Sequence, residues 1–446
     1  MWHKRGIATT LALTTAAGAA VLGLVPTAAA AASPHVTITY WYDSELASQG
    51  NFEPTVIQQF EKQNPNITVN ALALTVIPQM EEKLPVALSS GTGPDLVYAD
   101  ITPAYLGTYA KAGEILPLNQ AYKTYGWSSR VAKAGIPAVS YFGKILGVPN
   151  EFQDLGLLYN KVIFKKLHLQ PPSTFAQLEH AMAVIKSKSN FVPMNMSCGS
   201  DGNGNCVHMM HALAYSELPT KTVLNTTVTG TGSYDTPAWI KVFSTFQDWA
   251  KKGYFTKGAN GITYTEAPAQ FCAGQAAMFT EGSWLFSALD QCAASSGGRL
   301  AYADIPFPME NRSLPFQAYV GFGKGWYVPK YVTKNPAVEQ ASLKLLNFLL
   351  SPANATAQVK VASLFPSVPF DHATANLTPA EKAALAIEAK AGTNGGHVDV
   401  GYYDTAQETS VFSNELEALI SGTTTPAKAA ATIEAALRAG QQAWRK

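Results

Sequence analysis

Three short apolar runs, each followed by a segment with helical spacing, govern what this chain can fold into. They are "VTITYWYD" at 36–43, "ITV" at 67–69 and "LVYAD" at 96–100. Val56, Ile57 and Phe60 fall on one helical side after the first run, and a second helical stretch surrounds Met80 to Leu88. Strand, helix, strand, helix, strand is the pattern of a parallel α/β sheet. Open sheets of this kind gather ligands at the carboxyl ends of their strands. Asp43, Glu45 and Asp100 stand at such ends. Asp100 also precedes the helical series Tyr105, Leu106, Tyr109 and Ala110, which closes at Gly113. A helix cap and a ligand acceptor are both open readings of it.

The pattern repeats further along. "LGLLYNKVIFKKL" reads as a strand from Gly156 to Tyr159 and a helix from Asn160, and Pro171, Pro172, Ser173 and Thr174 open another helix. "GQAAMFTEGSWLFSAL" reads as a strand, a turn carrying Trp284, and a helix. The polar lead Asn150, Glu151, Gln153 and Asp154 separates two α/β patterns and marks a crossing between lobes. "GRLAYADIPFP" is a second candidate crossing, and the stop at Ser351 and Pro352 a third. The expected division is a leader at 1–32, a first lobe from 33–152 and 306–350, and a second from 153–305 and 351–446. Lobes joined several times can hinge without separating.

Residues 1–32 have the parts of a secretory signal peptide: a basic start, an apolar stretch from Gly6 to Val25, and a small-residue site at Ala28–Ala32. Cleavage is expected between Ala30 and Ser33, with a retained anchor as the competing reading. No Cys stands near the site to accept a lipid. Net charge is +1 and charged residues make up 14% of the chain, against about 25% in soluble proteins generally. With no long runs of one sign, the near-neutral balance implies neither nucleic acid nor an anionic membrane surface as a partner. The low charge would suit an acidic extracellular medium. The four cysteines, Cys198, Cys206, Cys272 and Cys292, favour disulfides in a secreted chain. Three pairings are possible, and the two local ones, Cys198 with Cys206 and Cys272 with Cys292, are expected. The sharper alternative is a metal held by Cys206, His208 and His211 in "CVHMMH".

The chain lacks GxxxxGK[ST], HExxH, GxSxG and a dinucleotide GxGxxG after a strand. "GFGKGW" at 321–326 is only superficially Gly-rich. A secreted glycosidase needs just two carboxylates, which Asp43, Glu45, Asp100 and Asp154 could supply. A binding site needs flat aromatics for apolar ligand faces and acids or amides for hydroxyls. Trp41, Tyr42 and Trp284 are the aromatic candidates; Asp43, Glu45, Asp100, Gln153 and Asp154 the polar ones.

The ordered series "ITYWYDSE", "FEKQNPNITV", "GTGPDLVYAD", "YAKAGEILPLN", "GVPNEFQDLGLLYNKVIFKKL", "GQAAMFTEGSW" and "LLNFLLSPANA" resembles the sugar-binding solute-binding proteins of ATP-binding-cassette importers. The resemblance implies a type II periplasmic-binding-protein fold: two α/β lobes, each a mostly parallel sheet flanked by helices, closing about hinged crossings. It implies an extracytoplasmic, monomeric, non-enzymatic protein without cofactor that hands a carbohydrate to a permease. By motif position its ligand contacts fall on Asp43, Glu45, Asp100, Gln153 and Trp284, with Trp41 and Tyr42 near by and Tyr402 or Tyr403 as a covering aromatic. Within the family, a glycerol-phosphate binder is the nearest alternative, although "GGHVDVGYYDTAQ" offers no Arg or Lys for a phosphate. A ferric site at Tyr402 and Tyr403 ranks third, and polyamines would leave Trp284 less to stack on.

Overall fold

Apolar runs buried on both faces form the centres of two sheets. The computed structural model describes residues 34–44, 47–75, 79–199, 204–227, 230–393, 397–398 and 406–445, and its folded body starts at Val36. The strands are β1 Val36–Asp43, β2 Ile67–Leu74, β3 Leu96–Asp100, β4 Ser140–Tyr141, β5 Lys144–Ile145, β6 Val148–Pro149 and β7 Phe152–Asn160. They continue as β8 Val192–Asn195, β9 Ala276–Gly282, β10 Tyr302–Ile305, β11 Ala318–Phe322, β12 Lys324–Tyr327 and β13 His397–Val398. The first sheet has the order β2-β1-β3-β12-β6; the second has β13-β11-β7-β9-β8, with β10 also on β7.

Helices cover both sheets, as the alternation predicts. The helix Ala47–Gln63 packs Phe52, Val56 and Phe60 into the first lobe's core with Tyr40, Tyr98 and Trp326. In the second lobe Trp239, Phe243 and Phe246 meet Phe412, Leu416 and Ile433. Asn160, Thr174, Thr236 and Ser351 each cap a helix by accepting a backbone N–H, satisfying donors that the first turn leaves open. Among the described residues no helix is long and apolar enough to cross a membrane.

The α/β layering in two lobes is as expected, but pairing within the sheets is mixed. β1 runs parallel to β2 and β3, whereas β12 is antiparallel to both β3 and β6. β7 is antiparallel to β9, β10 and β11. The cause is the chain's path: β6 leads straight into β7 in the other lobe, and β12 returns straight from β11.

The crossings also differ from their expected places. The first, Asn150 and Glu151 between β6 and β7, is where the polar lead stands. The second falls at Gly323, between β11 and β12, not near residue 306. β10 and β11 both pair with β7, and residues 306–317 leave and rejoin it on the second lobe. There Glu310 N and Asn311 N donate to Ser216 O, and Gln317 Nε2 donates to Tyr215 O and Leu218 O. The third lies beyond residue 351, because the helix Pro352–Ala362 packs on Ala47–Gln63 in the first lobe.

All three crossings meet at Phe152. Its N–H donates to Phe365 O at 2.7 Å, and its ring lies edge-on to Phe322 with centroids 5.7 Å apart. At Gly323 a Cβ would stand 2.3 Å from Gln153 Oε1, so the second crossing passes the first without room for a side chain.

Both local disulfides are present, Cys198 with Cys206 and Cys272 with Cys292. This removes the metal reading, since the Cys206 thiol is consumed. His211 stacks on Tyr319 and Phe412 instead, and burial pulls its imidazole down to about 3. Among the described residues no cluster of three His, Cys, Asp or Glu could hold a metal. The Cys272 to Cys292 link closes 20 residues between the helices Pro268–Cys272 and Phe286–Ser295. Replacing both cysteines by Ala should lower unfolding free energy by about 3 kcal/mol, read from urea midpoints. An unchanged midpoint would show that the loop is already constrained without the bond.

Candidate functional site

The strand ends at the crossings carry a buried polar network. β1 ends on Asp43, which is 0% exposed and accepts a hydrogen bond from the ammonium of Lys324. Lys324 is 9% exposed, opens β12 directly after Gly323, and is the register partner of Asp100 at the end of β3. Beside it, Tyr98 Oη donates to Glu151 Oε1 at 2.6 Å, Gln153 Nε2 donates to Glu151 Oε2 at 3.1 Å, and Asn150 Nδ2 donates to Tyr98 Oη at 3.2 Å. Burial raises the Glu151 carboxyl, while Lys324, Tyr98 and Gln153 hold it down. The crossing is thus a cross-linked polar joint between two apolar cores.

The second lobe contributes Trp284. β9 ends at Gly282 opposite Leu155, so the turn that follows lies at the same end of β7 as Gln153. Asp154 N donates to Ser283 Oγ at 3.2 Å. The Trp284 indole N–H donates to Tyr264 Oη at 2.6 Å, and the His208 ring meets Trp284 edge-on at 5.4 Å. His208 Nδ1 lies 2.9 Å from Glu281 Oε1. One edge of the half-buried indole is therefore fixed by a hydroxyl and an imidazole.

The structure sorts the expected site residues. Asp100, Gln153 and Trp284 are each partly exposed: Asp100 is paired with Lys324 in the first sheet, Gln153 stands against Gly323 at the second crossing, and Trp284 follows β9 in the second sheet. The helix after Asp100 has Thr102, not Asp100, at its N-cap position, which weakens the capping reading of this carboxylate. Trp41 is partly exposed and packs on the core that runs between the lobes. Tyr42 is buried in the first core, 5.5 Å from Tyr40. Asp43 is present at the site but is committed to Lys324. Glu45, Tyr402 and Tyr403 lie outside the described residues.

Asp154 is a correction. It is 1% exposed, and its carboxyl meets that of Asp304 inside the second lobe rather than facing a ligand. The meeting takes place over Gly156, where a Cβ would stand 2.0 Å from Asp304 Oδ1. Burial and the neighbouring carboxyl push Asp154 well above the usual range, and burial raises Asp304 to about 7. Keeping Asp154 protonated avoids placing two like charges side by side in the core. The residues missed in the sequence are Lys324, Tyr264 and the structural role of His208, while Glu151 reads there only as part of the polar lead at the crossing. A lone lysine inside "GFGKGW" was the only available signal for the first.

These buried acids set a pH dependence. Glu53, beneath Tyr40, is raised to about 8 chiefly by burial, and Asp304 to about 7. In the unfolded chain both lose their protons near pH 4. Above that the folded state binds more protons than the unfolded one, so stability falls as pH rises from about 4 through 7 and 8. Thermal midpoints should be higher at pH 5 than at pH 9, and Asp304→Asn should flatten the slope. A midpoint that rises toward pH 9 would contradict the assignment.

The matching family model is the bacterial extracellular solute-binding protein family, over residues 55–387. Two curated relatives are the maltotriose-binding protein of Pyrococcus abyssi (strain GE5 / Orsay), 26% identical over 31% of this chain and 30% of its own, and maltodextrin-binding protein MdxE of Bacillus subtilis (strain 168), 26% identical over 67% and 66%. The chain therefore matches less than two thirds of either relative's length. A solved chitin oligosaccharide binding protein superposes with TM-score 0.81 at 21% identity, covering 91% of this chain and 99% of that one, which fixes the type II two-lobed fold. With a family model spanning most of its length and that architecture, the chain belongs to the bacterial extracellular solute-binding proteins.

Proposed function

We propose that this protein is the extracytoplasmic binding component of an ATP-binding-cassette importer, and that its cargo is a sugar or oligosaccharide held between the lobes. The observation that carries the reading is Trp284, a partly exposed indole held at one edge by Tyr264 and His208 after β9, together with the partly exposed Asp100 and Gln153 at the crossings. A flat indole suits the apolar face of a pyranose, and an ionised carboxylate accepts from two vicinal hydroxyls at once. The names of the maltodextrin, maltotriose and chitin-oligosaccharide relatives support the same ligand class. Residues 1–32 act as the export leader, and the protein works as a monomer that neither cleaves its cargo nor carries a cofactor.

Binding works by population shift. A ligand that touches groups on both lobes favours the closed arrangement over the open one, and the Phe152 joint lets the lobes turn while remaining connected. Lys324 bears on the glycerol-phosphate alternative. It is a cation at the crossing, but Asp43 already neutralises it, so it favours an uncharged ligand over a phosphate.

A thermal-shift screen against mono- and oligosaccharides, with chromatography of each hit, tests this reading. A saccharide that raises the melting temperature and stays intact supports it; a cleaved one would point to a glycosidase. Against the identified sugar, Trp284→Ala should cost about 1–3 kcal/mol of binding, the scale of a buried aromatic. Asp100→Ala should weaken binding with little change in melting temperature. Full affinity in Trp284→Ala would remove the indole from the site.

A further inference from the structure

We propose that the Cys198–Cys206 disulfide is a positioning element for Trp284, joining the two segments that hold the edge of its indole. Trp284 Nε1 donates to Tyr264 Oη at 2.6 Å, and the His208 ring meets both Trp284 and Tyr264 edge-on, with centroids 5.4 and 5.9 Å away. The two holding groups come from separate places in the chain. Tyr264 follows the short helical turn Ala259–Gly261, whereas His208 stands in the first turn of the helix Asn205–Glu217. Their relation to each other therefore has to be fixed by something that touches both segments.

The stretch from Ser197 to Gly199 does so. Cys198 N donates to Ala259 O at 2.8 Å and Gly199 N to Ile262 O at 2.9 Å, which fixes the segment leading into Tyr264. Ser197 N donates to Asn205 Oδ1 at 2.8 Å, Cys206 N donates to Ser197 O at 3.0 Å, and the Cys198–Cys206 bond ties the same stretch to the helix start. From there Asn205 Nδ2 donates to Thr280 O at 3.0 Å, and His208 Nδ1 lies 2.9 Å from Glu281 Oε1, both on the strand that leads into Trp284. The circuit closes on the indole, and the disulfide is its covalent link.

Loop closure is the weaker account of this bond. It spans a separation of 8 residues, against 20 for Cys272–Cys292, and a shorter loop removes less entropy from the unfolded chain. Its effect in the folded state is local. Gly204, ahead of the helix, offers no side-chain cap, and a Cβ there would stand 2.7 Å from Cys198 Cα. The helix start is pressed against residue 198 and held there covalently, which fixes the direction from which His208 meets the indole. A binding group is only as well placed as the residues that support it. That Trp284 contacts a ligand rests on the function proposed above; its positioning by the disulfide does not.

The test is acrylamide quenching of tryptophan fluorescence in the ligand-free full chain, each protein being compared with its own Trp284→Phe version so that the Trp284 signal is isolated. Cys198→Ala, Cys206→Ala should raise that quenching about twofold, as a locally loosened group does, with the far-ultraviolet circular dichroism unchanged. Cys272→Ala, Cys292→Ala is the control and should leave Trp284 quenching as in wild type, although it lowers stability. Tyr264→Phe should raise the quenching in the wild-type background and add little in the Cys198→Ala, Cys206→Ala background, because both act through one contact. Unchanged quenching in the Cys198→Ala, Cys206→Ala protein, loss of its native fold, an equal rise in the control, or full additivity with Tyr264→Phe would overturn the proposal. A Trp284→Phe protein that binds saccharide at full affinity would instead remove the indole from the ligand site and leave its positioning intact.

Discussion

The structure depends on one buried ion pair. Lys324 and Asp43 are 281 residues apart in sequence and meet where the second crossing enters the first sheet. Taking both charges out of water is costly, and the pair persists only because its geometry is complete and further polar groups surround it. Glu151, Tyr98, Asn150 and Gln153 supply that surrounding network. Removing one partner would leave a stranded charge at the place where the lobes join. The pair thus fixes where β1 ends, where β12 begins, and how Asp100 is presented between them.

The same region explains why the lobes are coupled without being locked. Phe152, Phe322 and Phe365 belong to one core that also takes in first-lobe residues such as Val97 and Tyr327. An apolar joint tolerates small rotations because dispersion contacts are not directional. The polar network beside it is directional and limits those rotations to a few arrangements.

How much of this was legible in the sequence depended on range. β1, β3, β7 and β9 were readable because their apolar runs are continuous and end in turns. The helix starts at Asn160 and Thr174 are legible for the same local reason, whereas Ser351, which reads as a stop, caps the helix that follows it. The second crossing was misplaced because "GRLAYADIPFP" is a strand followed by prolines, which looks like an exit; nothing local reveals that the chain returns to β7 at residue 318. Asp154 reads as a ligand carboxylate in the sequence because its partner Asp304 lies on another strand, across Gly156. Lys324 was hidden because its meaning lies wholly in Asp43. Burial also raises the carboxyls of Glu53, Asp154 and Asp304, an effect of three-dimensional position that no local stretch of sequence displays.

The interleaved path has a consequence for how the molecule is made. The first sheet is incomplete until β12 has been synthesised, and its outer helix Pro352–Ala362 comes later still. The second lobe waits for the helices Ala406–Ser421 and Pro426–Arg445, which close its core. Neither lobe is encoded by a contiguous stretch, so neither can finish folding while most of the chain is still emerging. Long-range closure of this kind is slow, so the native packing of either lobe waits for nearly the whole chain.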